Sequence, residues 1–437
     1  MFSKDRSQKI PSNLKPIKDL IATEDPNIAI QDNKYKKLIS NIKSSIGFNN
    51  TEFELHVIPL ILKTFKYCQK LPESSMYYAN LGGLVDLAIN RAEAALGLMR
   101  NILVIEDNKP PSEEQKLWLY AMFSAALLQG LGKLYTDYKI NLFDKNGQYI
   151  KCWQPLLESF VSISDYYDYD LLRGDDYDLR NSITPLIARR IMPKSGFEKI
   201  LSASEVFATW LALLREDKDS AGPLAAILDR ANAIAMQRYL NSFIEKFGLQ
   251  EGRGNRLGTF IDNKQENSPE KELLIGAEFL AWLNESLKTG KIILNQPPFM
   301  IEVKEASVIL HPEVLDVFMQ EHKKLKNRVA IQKSFLAWNM HLLTDAAKET
   351  ISQNNKNNQT KIELNKAILP DNVKIYDAHT KKIASVSSLN LVHNIHNYNQ
   401  NNKINLSSSI EKLSTAGKWV SGEQNVTNLQ HQSTHKV

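Results

Sequence analysis

One stretch narrows the folds open to this chain more than any other: an apolar run that starts at Ser112 and closes on Ala125-Ala126-Leu127-Leu128-Gln129-Gly130-Leu131-Gly132-Lys133. Ser112 with Gln115 three positions on forms a capping box, which satisfies N–H groups that a helix start leaves open. Helical spacing then carries Trp118, Met122, Ala125 and Leu128 into a core. A helix this apolar needs helical neighbours, and the flanking sequence supplies them. Between residues 52 and 70 Phe53, Leu55, Val57, Ile58, Leu60, Ile61, Leu62 and Phe65 recur at helical spacing, and Gly82-Gly83 opens a further helix toward Arg100. More helices are expected over residues 35–45, 186–199, 204–215 and 224–247. A mainly α fold follows, with a helical domain over residues 36–250.

Other segments break that pattern. Residues 1–35 are rich in Lys, Pro and Asp with little periodicity, and read as an extended basic arm whose order needs a partner surface. Phe143-Asp144-Lys145-Asn146-Gly147-Gln148-Tyr149 is a hairpin signal, because Asn-Gly supplies the positive backbone angles of a tight turn. A Gly-, Asn- and charge-rich stretch at 251–270 reads as a linker. A small α+β unit at 271–348 follows: helix 272–287, strand 291–294, a Pro297-Pro298 bend, strands 300–303 and 307–310, and helix 312–323. That order suits a winged helix. Residues 349–437 read as a flexible polar tail, with one short strand region at 373–383 and disorder after 397.

At 437 residues and 43% hydrophobic content the chain can bury a sizeable core. No apolar stretch approaches the roughly 18 residues that a bilayer requires, and the start is basic and polar, so a cytoplasmic protein without membrane insertion is expected. Cys68 and Cys152 lack metal spacing and read as free thiols in a reducing compartment. The net charge of +5 permits nucleic-acid contact without requiring it.

Four N-terminal segments then carry a resemblance: Leu71-Pro72-Glu73-Ser74, Gly82-Gly83-Leu84, Leu127-Leu128-Gln129-Gly130-Leu131-Gly132-Lys133 and Trp153-Gln154-Pro155. The C-terminal set is Gly276-Ala277-Glu278-Phe279-Leu280-Ala281-Trp282-Leu283, Gly290, Asn295, Leu310-His311-Pro312 and Ile331-Gln332-Lys333-Ser334-Phe335. Together they resemble the TraI-type conjugative relaxases of the MobH class over residues 36–345. The resemblance implies an N-terminal HD-hydrolase-like domain binding one or two metal ions through His and Asp, since those donors lower the pKa of bound water. Here the ligand positions are changed. The GGLxxH pattern reads Gly82-Gly83-Leu84-Val85-Asp86-Leu87, so Leu87 stands in the ligand place. Asp86 is one position out of phase, about 100° round the helix. The preceding His pair corresponds to Tyr77-Tyr78, the His-Asp doublet to Gln129-Gly130, and a later Asp to Asn232, with Asp229 out of register. Across the first three hundred residues His56 is the only histidine. No metal or cofactor is expected.

Competing sites receive plainer readings. Gln129-Gly130 reads as a helix end where Gly relieves crowding, and Lys133 as a structural helix-end charge. The acidic-aromatic run 165–170 with Asp175-Asp176 fits no Ca²⁺ loop and reads as a solvated loop. Tyr77, Tyr78, Tyr166 and Tyr167 are nominal nucleophiles without a supporting base or metal. Gly252-Arg253-Gly254-Asn255-Arg256-Leu257-Gly258 has neither dinucleotide nor Walker spacing. His311, His322 and His341 read as structural or surface residues. Lys288, Lys291, Lys304, Lys323, Lys324, Lys326, Arg328 and Lys333 are candidate phosphate contacts, interspersed with Glu278, Glu285, Glu302, Glu305, Glu313 and Glu321. The expectation is a relaxase-like protein of a conjugation or type IV secretion system that has lost its metal site. It would act on DNA or on transfer components by binding, with no catalytic residue. The alternatives are an active nickase whose metal site has moved to Asp86, Asp229 and the carboxylates of 165–178, and a protein adaptor without DNA contact.

Overall fold

The computed structural model describes residues 14–388 and 391, except 76, 103–109, 173–175, 248–268, 299, 305–306, 323–324, 326 and 339–360. The linker expected at 251–270, Gly252 to Gly258 within it, His341 and the chain after 397 lie outside or almost wholly outside the described residues. The architecture is mainly α, with α+β character in the C-terminal region.

The longer helices among the described residues are α1 (Asn33–Ile46), α2 (Ile58–Cys68), α3 (Gly83–Ile102), α4 (Glu113–Leu128), α5 (Tyr177–Ile191), α6 (Lys194–Leu201), α7 (Ser204–Leu214), α8 (Pro223–Phe247), α9 (Pro269–Thr289), α10 (Glu313–Glu321) and α11 (Arg328–Ala337). Helix α4 starts at the expected capping box, with Ser112 and Gln115 each bonded to the other's backbone N–H. Every residue from Leu119 to Leu128 is buried, so beyond its polar first turn α4 is enclosed on all sides. The stretch Glu113–Thr136 is long and apolar enough to cross a membrane, which the sequence reading overlooked, and 89% of its apolar window is buried inside the protein. Ahead of α2 the turn Phe53–Val57 is wound as a π-helix. Pro59 has no N–H and its ring crowds the carbonyl four residues earlier, and a widened turn makes room for it.

A four-stranded antiparallel sheet, ordered β1-β4-β2-β3, packs on this bundle: β1 (Ile21–Ala22), β2 (Tyr138–Phe143), β3 (Tyr149–Cys152) and β4 (Tyr166–Leu171). The β2–β3 hairpin turns on Gly147 as expected. Three expectations are corrected here. The run 165–170 is an interior strand, because Tyr167 and Tyr169 alternate with Asp168 and Asp170 at the two-residue period of a strand. Residues 14–35 need no outside surface. Lys15 N–H donates to Gly147 O and Lys15 Nζ pairs with Asp168, while Ile21 and Ala22 pair with Tyr167 and Tyr166. The helix expected over 186–199 is two helices, broken at Met192-Pro193, and the first begins earlier on an Asp176 cap.

The C-terminal region holds a three-stranded antiparallel sheet, β5 (Ile301–Val303), β6 (Ser307–Leu310) and β7 (Ile362–Asn365), and a hairpin of β8 (Asn372–Asp377) and β9 (Lys382–Ser387). The strand expected at 291–294 reduces to a single bridge from Leu294 to Ile375. The expected tail contains β7, β8 and β9, whose Ile362, Leu364, Val373 and Ile375 are buried in the same core as α9 and α11. Short polar strands carry too few apolar residues to stand out in composition, yet alternation is enough once a core lies on one side. Among the described residues two large hydrophobic cores result, one over residues 35–231 and one over 240–391 with partners from Tyr77, beside a small cluster of Tyr78, Leu87 and Ala235. Helix α8 runs between them.

Candidate functional site

The first helix of the site is positioned by a glycine that admits no substitute. A Cβ on Gly83 would lie 1.8 Å from Tyr78 O, so α3 starts tight against the preceding loop. Glu73 N–H donates to Tyr78 O at 2.9 Å, and Leu84 N–H to Leu71 O at 3.0 Å. Opposite, α4 stops at Gln129, and Gly130 takes φ +74°. Its Cβ would meet nothing within 4 Å, so the backbone angle and not crowding requires glycine there.

Between these elements, α5 and α8 lies a cavity of about 300 Å³, lined by Glu73, Tyr77, Leu84, Leu87, Ala88, Arg91, Gln129, Gly130, Leu131, Lys133, Tyr177, Arg180, Asn181, Glu216, Asn232 and Met236. Five of the six positions that the family resemblance reads as changed ligand places line it together: Tyr77, Leu87, Gln129, Gly130 and Asn232. The sixth turns away. Tyr78 stacks on Tyr239 at 4.4 Å, donates to Ala235 O at 2.7 Å, and lines a larger neighbouring cavity of about 980 Å³.

Arg91, which sequence reasoning missed, dominates the smaller cavity. Its side chain is buried; Nε donates to Ala126 O at 2.5 Å, Nη2 to Gln129 O at 2.7 Å and Nη1 to Asn232 Oδ1 at 3.1 Å. Asn232 Nδ2 donates to Gln129 Oε1 at 3.2 Å, and Gln129 Nε2 to Leu213 O at 3.3 Å. The guanidinium thus satisfies carbonyls at the end of α4 that helix geometry leaves open. Burial lowers its pKa from the ordinary value, opposed by the charges of Glu73 and Glu216. The available signal was spacing: Arg91 is one helical turn beyond Leu87.

Lys133, read in sequence as a structural helix-end charge, is buried. It forms a buried ion pair with Glu73 and donates to Glu73 O at 3.0 Å, while Tyr138 OH donates to Pro72 O. Arg180, also on the wall, pairs with Asp137 at 2.7 Å.

The carboxylates offered as a displaced metal site do not converge. Asp86 accepts from Lys34, Tyr35 and Asn80 and lines the larger cavity; Asp229 pairs with Lys218 at 2.6 Å; Asp168 on β4 accepts from Asn141 at 2.9 Å. Among the described residues no group of three or more His, Cys, Asp or Glu is placed to hold a metal ion. Burial pushes the Tyr77, Tyr78 and Tyr167 phenols well up, away from nucleophilic character.

Of the C-terminal cations, Lys291 pairs with Glu321 at 2.5 Å, Lys304 with Glu302 at 2.5 Å and Arg328 with Asp316 at 3.5 Å. Lys288 and Lys333 are exposed, and Lys323, Lys324 and Lys326 fall outside the described residues. His311 faces Glu302 at 3.6 Å, whereas His322 contacts Phe318, so these two do not share a site. A second overlooked residue is Arg230 of α8, buried, whose Nη1 donates to Ala367 O at 2.6 Å and to Leu369 O, and whose Nη2 meets Asp371 at 2.7 Å.

A helical bundle with a central polar cavity, joined to an α+β region, defines a class that two family comparisons resolve. Residues 21–249 match the family TraI_2, described as "Putative helicase", and residues 274–391 match TraI_2_C, described as "Putative conjugal transfer nickase/helicase TraI C-term". The chain belongs to this TraI-type family of conjugal transfer proteins. No curated protein matches it.

Proposed function

We propose that this chain is a non-catalytic relaxase-like component of conjugal transfer, acting by binding to DNA or to transfer-apparatus proteins. One observation carries the reading: the pocket that gathers the substituted ligand positions is organised by the Arg91 guanidinium. A fixed cation there opposes a second cation, by about 4 kcal/mol for unit charges 4 Å apart at an effective dielectric of 20. The other residues at the changed positions do not fit a metal either. Gln129 and Asn232 are amides bonded to each other, Leu87 and Gly130 bring no donor atom, and the Tyr77 phenol is held protonated. No hydrolytic step through a metal is therefore derived.

In this reading the helical region over 36–250 and the α+β region from 271, winged-helix-like in its helix and strand order, serve as docking surfaces, and the protein works in the cytoplasm. Elemental analysis of purified protein tests it: substoichiometric transition metal and no nicking of supercoiled DNA in added Mg²⁺ or Mn²⁺ are expected. Stoichiometric metal that disappears in Asp86→Ala would restore the nickase.

A second reading, the protein adaptor, is favoured by the pairing of Lys291, Lys304 and Arg328 with acids, which reduces the charge offered to phosphate. Salt-titrated DNA binding separates the two. Each lost phosphate contact lowers the slope of log K against log salt by about 0.9, so charge reversal at Lys288 and Lys333 reduces it if DNA is the partner and changes nothing if DNA is not.

A further inference from the structure

The buried guanidinium lacks what buried cations normally have. Arg91 carries five N–H groups. Three reach Ala126 O, Gln129 O and Asn232 Oδ1, and none of these acceptors is a carboxylate. The remaining two have no partner among the described residues. Its neighbours on the wall are differently placed, since Lys133 has Glu73 and Arg180 has Asp137. A buried charge without direct compensation is costly, and side chains in that position are normally paired. The arginine faces a cavity of about 300 Å³, at the lower end of the range of ligand pockets. Asn181 stands on its wall as an available amide, and exposed Glu216 on the rim is an acid that any anion must pass.

We propose that this cavity is a metal-free oxyanion site in which Arg91, supported by Asn181 and Asn232, receives a phosphoryl group. Guanidinium suits that ligand because it holds its charge at all relevant pH and directs several N–H donors to phosphate oxygens. The same chemistry is offered by free phosphate and by the terminal phosphate of a nucleic-acid strand. The proposal rests on the reading of the pocket as one without metal, and its test is arranged to fail separately from that reading.

The full chain is titrated in EDTA with inorganic phosphate, and in parallel with a short single-stranded oligonucleotide bearing either a 5′-phosphate or a 5′-hydroxyl. Saturable binding of phosphate is expected, and tighter binding of the phosphorylated oligonucleotide than of its 5′-hydroxyl twin identifies a strand end as the source. Equal binding of the two oligonucleotides, with phosphate competing against neither, leaves free phosphate as the ligand. Leu87→Glu places a carboxylate one helical turn before Arg91 and is expected to weaken phosphate binding at least tenfold. Because Leu87 is buried, Asn181→Glu, which adds an acid at a partly exposed wall position, provides the same measurement without disturbing the core. Unchanged affinity in both variants overturns the site, as does failure of the wild-type chain to bind phosphate in EDTA. If binding appears only after Mn²⁺ is added, the metal-free reading itself falls. If neither metal nor phosphate binds, that reading stands and the oxyanion site does not.

Discussion

Arg91 and Arg230 are both buried, both lie on long helices and both donate to main-chain carbonyls, yet they serve opposite ends. Arg91 spends its bonds inside the helical bundle and borders a cavity. Arg230 spends its bonds on Ala367, Leu369 and Asp371, which fastens the C-terminal strands to α8. The two are linked through that helix: Asn232, which meets Arg91, is two residues beyond Arg230, so α8 turns one face to the cavity and another to the C-terminal region. The difference lies in the counter-charge. Asp371 is 73% exposed and gives Arg230 a hydrated partner, whereas Arg91 is bonded to no carboxylate among the described residues. A buried arginine with an acid closes a joint, and one without an acid leaves a site.

The largest effect is expected at a third buried cation, whose partner is buried as well. Lys133→Met strands Glu73 without compensation and should cost about 3–5 kcal/mol, while Lys133→Met with Glu73→Leu should recover most of it. Urea denaturation of the two single variants and the double variant measures the coupling. Additive losses would show that the pair contributes little, and the contrast with Arg91 would then rest on burial alone.

Arg230→Met comes next, at about 2–4 kcal/mol, because two buried carbonyls lose their donor. Its signature is regional: hydrogen exchange should accelerate over 361–388 and leave α3 and α4 protected. Asp371→Ala should cost less than about 1 kcal/mol, since an exposed carboxylate is screened by water. Exchange rising equally in α3 would mean that Arg230 supports the whole molecule and is no joint.

The sequence made the frame of the bundle readable because periodicity and caps are local: the Ser112–Gln115 box, the Gly83 helix start and the hairpin at Gly147 all stand where expected. The family resemblance singled out six positions, five of which the structure places on one cavity wall. The occupant of that cavity was hidden. Arg91 looks in sequence like any helix-surface cation, and its burial depends on carbonyls thirty-five and thirty-eight residues away. Arg230 was hidden for the same reason, with partners 137 to 141 residues on, in a stretch whose polar composition concealed its strands. Strand β4 is obscured in sequence by its acids, which mask the two-residue alternation of Tyr167 and Tyr169.

The smallest expected effect separates the two regions by the sign of their response to acid. His56 packs between Phe48 and Tyr120 in the N-terminal core, and burial together with the charge of Lys199 lowers its pKa against a weaker opposing pull from Glu52. From the ordinary imidazole value of about 6.5 downward, the unfolded chain takes up a proton that the folded chain resists. This core therefore loses stability as pH falls from about 6.5 through the lowered folded value. Glu278 on α9 behaves oppositely: burial raises its carboxyl, with His322 pulling the other way, so its contribution is complete below the ordinary carboxylate range and is lost as pH rises through the raised value. His56→Gln should flatten the acid loss, and Glu278→Gln should raise stability at neutral pH. These are the smallest of the expected effects, because both side chains are only partly buried and water screens their charges. Urea midpoints at about pH 7.5 and 5.5, read beside hydrogen exchange in each region, check the pair. If both variants shift stability in the same direction on acidification, the two cores do not titrate independently, and α8 couples them more tightly than a single arginine joint implies.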